Sequence, residues 1–262
     1  MNPRYAHQKH NKPQSQSQGK PPNSPLKTLD RVLSKAGVAS RTEARQWIEA
    51  GRLAVNGKVV KDPEFWVNID RDRVRLDGKP VRPGKKIHLL LYKPKGYLTT
   101  FKDPDGRPTV YDLLKELKQW VFPVGRLDQD TSGLLVVTND ADLAEHITNP
   151  EHKVPKTYLV KCSLLLTDEQ LDQLRHGIEL KDGMTRPAKV VRIRDNSNRT
   201  VFEITITEGR NRQVRRMVEA LGAKVLKLVR VAIGPIRIGT LQIGQYRPML
   251  AEEVGILKAA GR

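Results

Sequence analysis

Residues 124–147 read VGRLDQDTSGLLVVTNDADLAEHI. Within them GLLVVTND is an apolar run of strand length. VFPVGRLD (121–128) reads as a strand before it, so a polar loop joins the two. Asn139 or Asp140 then opens a short helix over Ala141–Ile147. Asp128 follows directly on an apolar strand, in a polar loop with glycine on each side. A carboxylate placed there is held by rigid elements yet can face a cleft. If the strand continues through it, Arg126 and Asp128, two apart, point the same way. The same loop also reads as a plain turn, with Asp128 and Asp130 as turn formers.

The flanking sequence repeats this mixture of short strands and helices. Upstream, IHLLLY (87–92) is a strand stopped by the turn Lys93-Pro94-Lys95-Gly96, KDPDGRP (102–108) is a loop, and VYDLLKELK (110–118) is a short helix. Downstream, KTYLVKC (156–162) is a strand and TDEQLDQLRHGI (167–178) an amphipathic helix. AKVVRI, VFEITITEG and KVLKLVRVAIGPIRI add strands, and Asn211–Leu221 is a basic helix with Val214, Met217 and Leu221 as its buried stripe. The order is not a regular βαβ alternation, which disfavours a doubly wound parallel sheet. The fold expected is α+β, with a mixed, largely antiparallel sheet. Residues 208–230 carry seven basic residues against two acids. They are either a solvated helix face or a phosphate-binding helix start with one arginine turned inward to a carboxylate.

Residues 28–82 form a separate pattern. Leu29, Val32, Leu33 and Ala36 make one helical face, and Ser40 with Glu43 forms a capping box for a second helix. Arg41 and Arg45 share a face of that helix. Asn56-Gly57 and Asp77-Gly78 are hairpin signals. PVRPGKK (80–86) is a linker expected to let this small module swing. Residues 1–26 are polar and basic, expected to be a disordered tail, either a plain solvated terminus or one attracted to phosphates.

Composition narrows the function. The 262 residues carry 47 Lys+Arg against 29 Asp+Glu, a net charge of +18, which points to a polyanionic partner, nucleic acid first. No apolar run approaches the ~18 residues of a membrane span. One cysteine, Cys162, cannot form an intrachain disulfide, and no secretory leader is evident, so a cytoplasmic setting is expected. No phosphate-binding glycine loop, serine elbow or metal-spaced histidine set occurs, so neither metal nor cofactor is expected. Carboxylates and arginines are what remain for chemistry.

Residues 29–60, LDRVLSKAGVASRTEARQWIEAGRLAVNGKVV, resemble the small αL RNA-binding domain found in a ribosomal protein and in many RNA-modifying enzymes. LLYKPKGYLTT (90–100), DPDGRPTVYDLL (103–114), residues 124–147, KTYLVKC and TEGRNRQVRRMVEALG (207–222) together resemble the catalytic domain of pseudouridine synthases. The likeness is to the bacterial group that modifies ribosomal RNA, some members acting on the small ribosomal particle and others on the large. It implies an αL module at 27–82, after the tail at 1–26, and a catalytic domain at 83–262. It also implies a cofactor-free isomerisation of uridine in ribosomal RNA, free or within an assembly intermediate, by a monomer. TEGRNRQVRRM and the long tail favour the large-subunit type. Asp128 is then the nucleophile, Arg215 its partner, Tyr158 the residue stacked on the target base, and Val214 the packing beneath it. Arg126 fills the space of the extruded base or holds its phosphate. Lys93, Lys95, Arg107, Arg210 and Arg212 contact the RNA backbone, and Arg41 and Arg45 belong to the binding module. The competing reading is a non-catalytic RNA-binding assembly factor. A glycosidase is disfavoured, because Asp128 and Asp130 lie too close in sequence to flank a sugar bond.

Overall fold

The computed structural model describes residues 26–68, 71–82 and 84–261; the expected tail lies outside them apart from Leu26. In the N-terminal module, helices α1 (Leu29–Lys35) and α2 (Arg41–Glu49) pack on a small four-stranded sheet. The capping box forms: Glu43 N–H donates to Ser40 Oγ at 3.1 Å, and Ser40 N–H to Glu43 Oε2 at 3.1 Å. Asn56 and Asp77 take positive φ (52° and 48°), as tight hairpin turns require. Leu29, Leu33, Ala44, Ile48 and Leu53 are fully buried and form the module's own core.

The linker does not leave the module without contact. Gly84 N–H donates to Ala36 O at 3.1 Å, Trp120 N–H to Gly37 O at 3.1 Å, and Lys35 pairs with Asp142 at 3.6 Å. The expected freedom to swing is thus opposed by bonds from both sides of the linker.

The second region is built on one mixed sheet. Its main strands are β1 (His88–Lys93), β2 (Ser132–Thr138), β3 (Lys156–Cys162), β4 (Lys189–Asn196), β5 (Arg199–Ile206), β6 (Val225–Ile233) and β7 (Tyr246–Pro248). Their order across the sheet is β4-β5-β3-β6-β2-β1-β7. Every neighbour along it is antiparallel except β6 and β2, which run parallel. Helices α4 (Asp168–His176) and α5 (Gln213–Ala220) cover one half through Leu171, Leu174, Met217 and Val218. Helices α3 (Ala141–Thr148) and α6 (Ala251–Ala259) cover the other through Leu143, Ile147 and Leu257.

Two expectations need correction, and one helix is unanticipated. The strand expected over 121–128 is only Phe122–Pro123; Gly125 turns the chain with φ 70°, so Arg126 and Asp128 do not share a strand face. The helix expected over 110–118 is a single 3₁₀ turn, Val110–Leu113; Leu114 at its end leaves the helical region with φ −116° and ψ 14°. Helix α6 has no counterpart in the sequence reading. Its one buried residue, Leu257, leaves no amphipathic period to detect.

Candidate active site

The loop after Gly125 is pinned from three directions. Leu127 is buried, and its N–H donates to Thr99 Oγ1 at 3.2 Å while the same hydroxyl donates to Leu127 O at 2.8 Å. Gly96 N–H donates to Gln129 O at 2.7 Å, and Thr131 N–H to Asp128 O at 3.1 Å, closing a turn. From beneath, the Lys93 ammonium donates to Thr131 O at 2.8 Å and Pro94 O at 3.0 Å. Lys93 is fully buried. Burial draws its pKa down to about 8, partly opposed by the charges of Asp128 and Asp130. The expected backbone-phosphate contact at Lys93 is therefore wrong: strand β1 aims it into the core. Lys95, two residues on, is exposed.

Asp128 and Asp130 have different surroundings. Arg212 sits at the start of α5 with φ 47°, which turns its side chain back over the loop. Its Nη1 lies 3.1 Å from Asp130 Oδ1 and 3.7 Å from Asp128 Oδ2. Arg215, one turn further in, is buried; its Nη2 donates to Asp130 O at 2.9 Å and Thr131 Oγ1 at 3.3 Å and lies 3.2 Å from Asp130 Oδ2. The expected Arg215–Asp128 pair is thus replaced by an Arg215–Asp130 pair, and the guanidinium nearest Asp128 is Arg212. Burial raises the Asp130 carboxyl, but the hydrogen bonds of Arg212 and the charges of both arginines outweigh it, and the net shift is downward. Burial lowers Arg215, with Asp130 opposing. Asp130, in sequence only a turn former, holds both arginines.

A cavity of about 530 Å³ lies on the sheet, with Arg126, Asp128, Tyr158, Arg212 and Val214 in its wall. Residues expected together from distant stretches therefore meet, apart from Arg215, which stands behind the loop. Two further expected RNA contacts are engaged within the protein. Arg210 donates to Gly183 O at 2.8 Å and Met184 O at 2.6 Å and pairs with Glu208 at 3.3 Å, which makes it a strut. Arg107 is held by Asp103 at 2.7 Å and Asp105 at 3.0 Å on the surface. In the module, Arg41 and Arg45 both bond Asp30, which is completely buried, at 2.8 and 3.0 Å, and stay nearly half exposed themselves.

Sequence reasoning misses Lys156 and Arg230, which also line the cavity. Lys156 precedes Tyr158 by two on a strand, hence shares its face. Arg230 stands alone in the apolar run LVRVAI (228–233), where a charge signals a buried function.

The comparisons with known proteins agree with this architecture. Residues 87–220 match the family described as RNA pseudouridylate synthase, and residues 27–72 match the S4 domain. An uncharacterized RNA pseudouridine synthase of Aquifex aeolicus is 43% identical over 235 residues, covering 89% of this chain and 94% of that protein. The ribosomal large subunit pseudouridine synthase B of Bacillus subtilis is 39% identical over 237 residues, 89% of this chain and 96% of its own. A crystal structure of a pseudouridylate synthase superposes with a TM-score of 0.62 at 30% identity, covering 88% of this chain and 99% of that one. The class defined by fold and site is an RNA-modifying isomerase with an S4 domain ahead of its catalytic region. The chain belongs to the family of RNA pseudouridine synthases. No helix among the described residues is long and apolar enough to cross a membrane.

Proposed function

We propose that this chain converts a uridine of large-subunit ribosomal RNA to pseudouridine, with Asp128 as nucleophile. One observation carries the reading: Asp128 is an accessible carboxylate in the cavity wall, on a loop fixed by Thr99, Lys93 and Arg215, while the adjacent Asp130 takes up the arginines. The net charge of +18 suits a polyanionic substrate. The likeness to the B. subtilis enzyme along nearly all of that chain favours large-subunit RNA over small-subunit RNA.

In this reading residues 27–82 grip RNA and residues 83–262 carry out the reaction. The half-exposed guanidiniums of Arg41 and Arg45, steadied by Asp30, meet phosphates, as do Lys95 and Arg126 near the cleft. The target nucleotide leaves its stack and enters the cavity. An oxygen of Asp128 bonds to C1′ of the ribose as the N1–C1′ bond breaks, and the bond electrons depart with the base. The base turns against the Tyr158 ring, with Val214 beneath. C5 then bonds to C1′, the Asp128 carboxylate is released, the C5 proton leaves and N1 gains one. No atom is gained or lost overall. Arg212, 3.7 Å from Asp128, faces the negative charge that the carboxylate carries before it attacks and regains when it is released. The enzyme works as a monomer in the cytoplasm, where the free buried thiol of Cys162 suits a reducing medium.

The test is carbodiimide-blocked primer extension on ribosomal RNA incubated with the protein. A new stop on large-subunit RNA, absent with Asp128→Asn, supports the reading. Tight RNA binding with no modified site on either ribosomal RNA would instead support a non-catalytic assembly factor.

A further inference from the structure

The cavity has a floor that the steps at Asp128 and Tyr158 leave unused. Arg230 lies directly opposite Tyr158 in the β3–β6 ladder, and Lys156 is on the same face of β3. Both line the cavity. Arg230 is only 4% exposed. Its guanidinium makes one hydrogen bond among the described residues, from Nε to Leu134 O at 2.7 Å, and Nη2 is buried without a partner. Lys156 donates to a single carbonyl, Ile147 O at 2.9 Å. No carboxylate pairs with either among the described residues, although a buried cation ordinarily needs an acceptor. Burial, and then the charge of Arg230, draws the Lys156 ammonium down to about 8.

The backbone keeps this arrangement in place. Gly133 of β2 pairs with Arg230 in the parallel ladder at φ 119°, and a Cβ there would lie 2.4 Å from Arg230 N and 2.3 Å from its carbonyl oxygen. The glycine lets the two strands close tightly enough to hold Arg230 at the floor. Arg212, at the rim, is 43% exposed and suits a phosphate. A phosphodiester would have to be drawn to the bottom of the cavity to reach Arg230, whereas an extruded base reaches it first.

We infer that Lys156 and Arg230 form an anion-holding floor for the target base, donating hydrogen bonds to its carbonyl oxygens and stabilising the negative charge it bears once the N1–C1′ bond has broken. This rests on the reaction proposed at Asp128. The bond electrons spread over N1 and the two carbonyl oxygens of the detached uracil; the floor supplies hydrogen bonds and positive charge, and no proton is transferred to it. The charge disappears when C5 bonds to C1′, the C5 proton leaves and N1 is protonated. The same floor selects uracil, because the exocyclic amino group of cytosine would point a donor at cations.

The test uses full-length protein and large-subunit ribosomal RNA transcribed with UTP or with 5-fluoro-UTP, in single-turnover reactions read as loss of the target nucleoside by mass spectrometry. The fluorinated base is a better-stabilised anion and needs the floor less. Arg230→Gln is expected to slow uridine loss by about 100-fold and 5-fluorouridine loss by about 10-fold or less, with RNA affinity kept within about twofold. Because Arg230 also braces Leu134, Lys156→Met is the second variant, with the same pattern expected at smaller amplitude. Equal slowing for both bases in Lys156→Met, or a loss explained entirely by weaker RNA binding, would overturn the inference. If wild type is active, Asp128→Asn is inactive and both floor variants match wild type, only the floor assignment fails; turnover by Asp128→Asn refutes the proposed reaction itself.

Discussion

The N-terminal module and the cleft both gather two arginines around one aspartate, with opposite results. In the module Asp30 is wholly buried, and Arg41 and Arg45 radiate from it with nearly half of each side chain in water. In the cleft Asp130 is more than a third exposed, one of its arginines is buried, and a second carboxylate, Asp128, stands beside the cluster with one ion pair among the described residues, at 3.7 Å. Burying the acid turns its arginines outward and makes a surface for phosphates. Satisfying the arginines on one acid leaves the neighbouring acid open for chemistry.

The sharpest way to break this contrast is to disturb the frame under the cleft. Gly133→Ala forces a side chain into the Arg230 backbone at positive φ. A loss of more than about 3 kcal/mol of stability is expected in denaturant unfolding. Asp30→Ala leaves Arg41 and Arg45 without their shared acceptor. It should cost about 2 kcal/mol, less than a fully buried pair because both arginines reach water. Thermal unfolding will show the loss, and the cleft's single-turnover rate at saturating RNA should fall far less than RNA affinity. Arg41→Ala and Arg45→Ala should each weaken RNA binding evenly across sequences and reduce the slope of log affinity against log salt by about 1, measured by filter binding.

Stability also depends on pH through Lys93. Its pKa falls from 10.5 in the unfolded chain to about 8 in the fold. Between those values the unfolded state binds more protons, so stability rises with pH across about 8 to 10.5 and the gain is lost as pH falls through 8. Lys93→Met should remove its share of that slope and leave the share of Lys156, whose pKa is also drawn down to about 8. An unchanged slope in chemical denaturation across this range would mean that the lysine is solvated.

Much of this organisation is legible in the sequence, for identifiable reasons. The capping box at Ser40 and Glu43 and the hairpins at Asn56 and Asp77 are local chemistry, and they form as read. Strands β1, β2, β3, β5 and β6 show as apolar or alternating runs. The site is legible as a set of residues, because Arg126, Asp128, Tyr158, Arg212 and Val214 do meet. Pairings across the chain are less accessible. Which aspartate Arg215 meets depends on where α5 starts and on the left-handed turn at Arg212, and neither leaves a spacing signal. Lys93 looks like a surface cation because it borders a Pro-Gly turn; only the pleat of β1 sends it inward. Arg107 and Arg210 count as free charges until their acceptors at Asp103, Asp105 and the 182–184 carbonyls come near in space.

The central claim is the division of labour between two carboxylates two residues apart. Single-turnover pseudouridine formation by Asp128→Asn and Asp130→Asn, with RNA affinity measured alongside, tests it directly. Asp128→Asn is predicted to bind RNA normally and to lose turnover by about 10⁴-fold or more, while Asp130→Asn keeps measurable turnover from a less stable protein. Robust product from Asp128→Asn, with Asp130→Asn folded but inert, would contradict it.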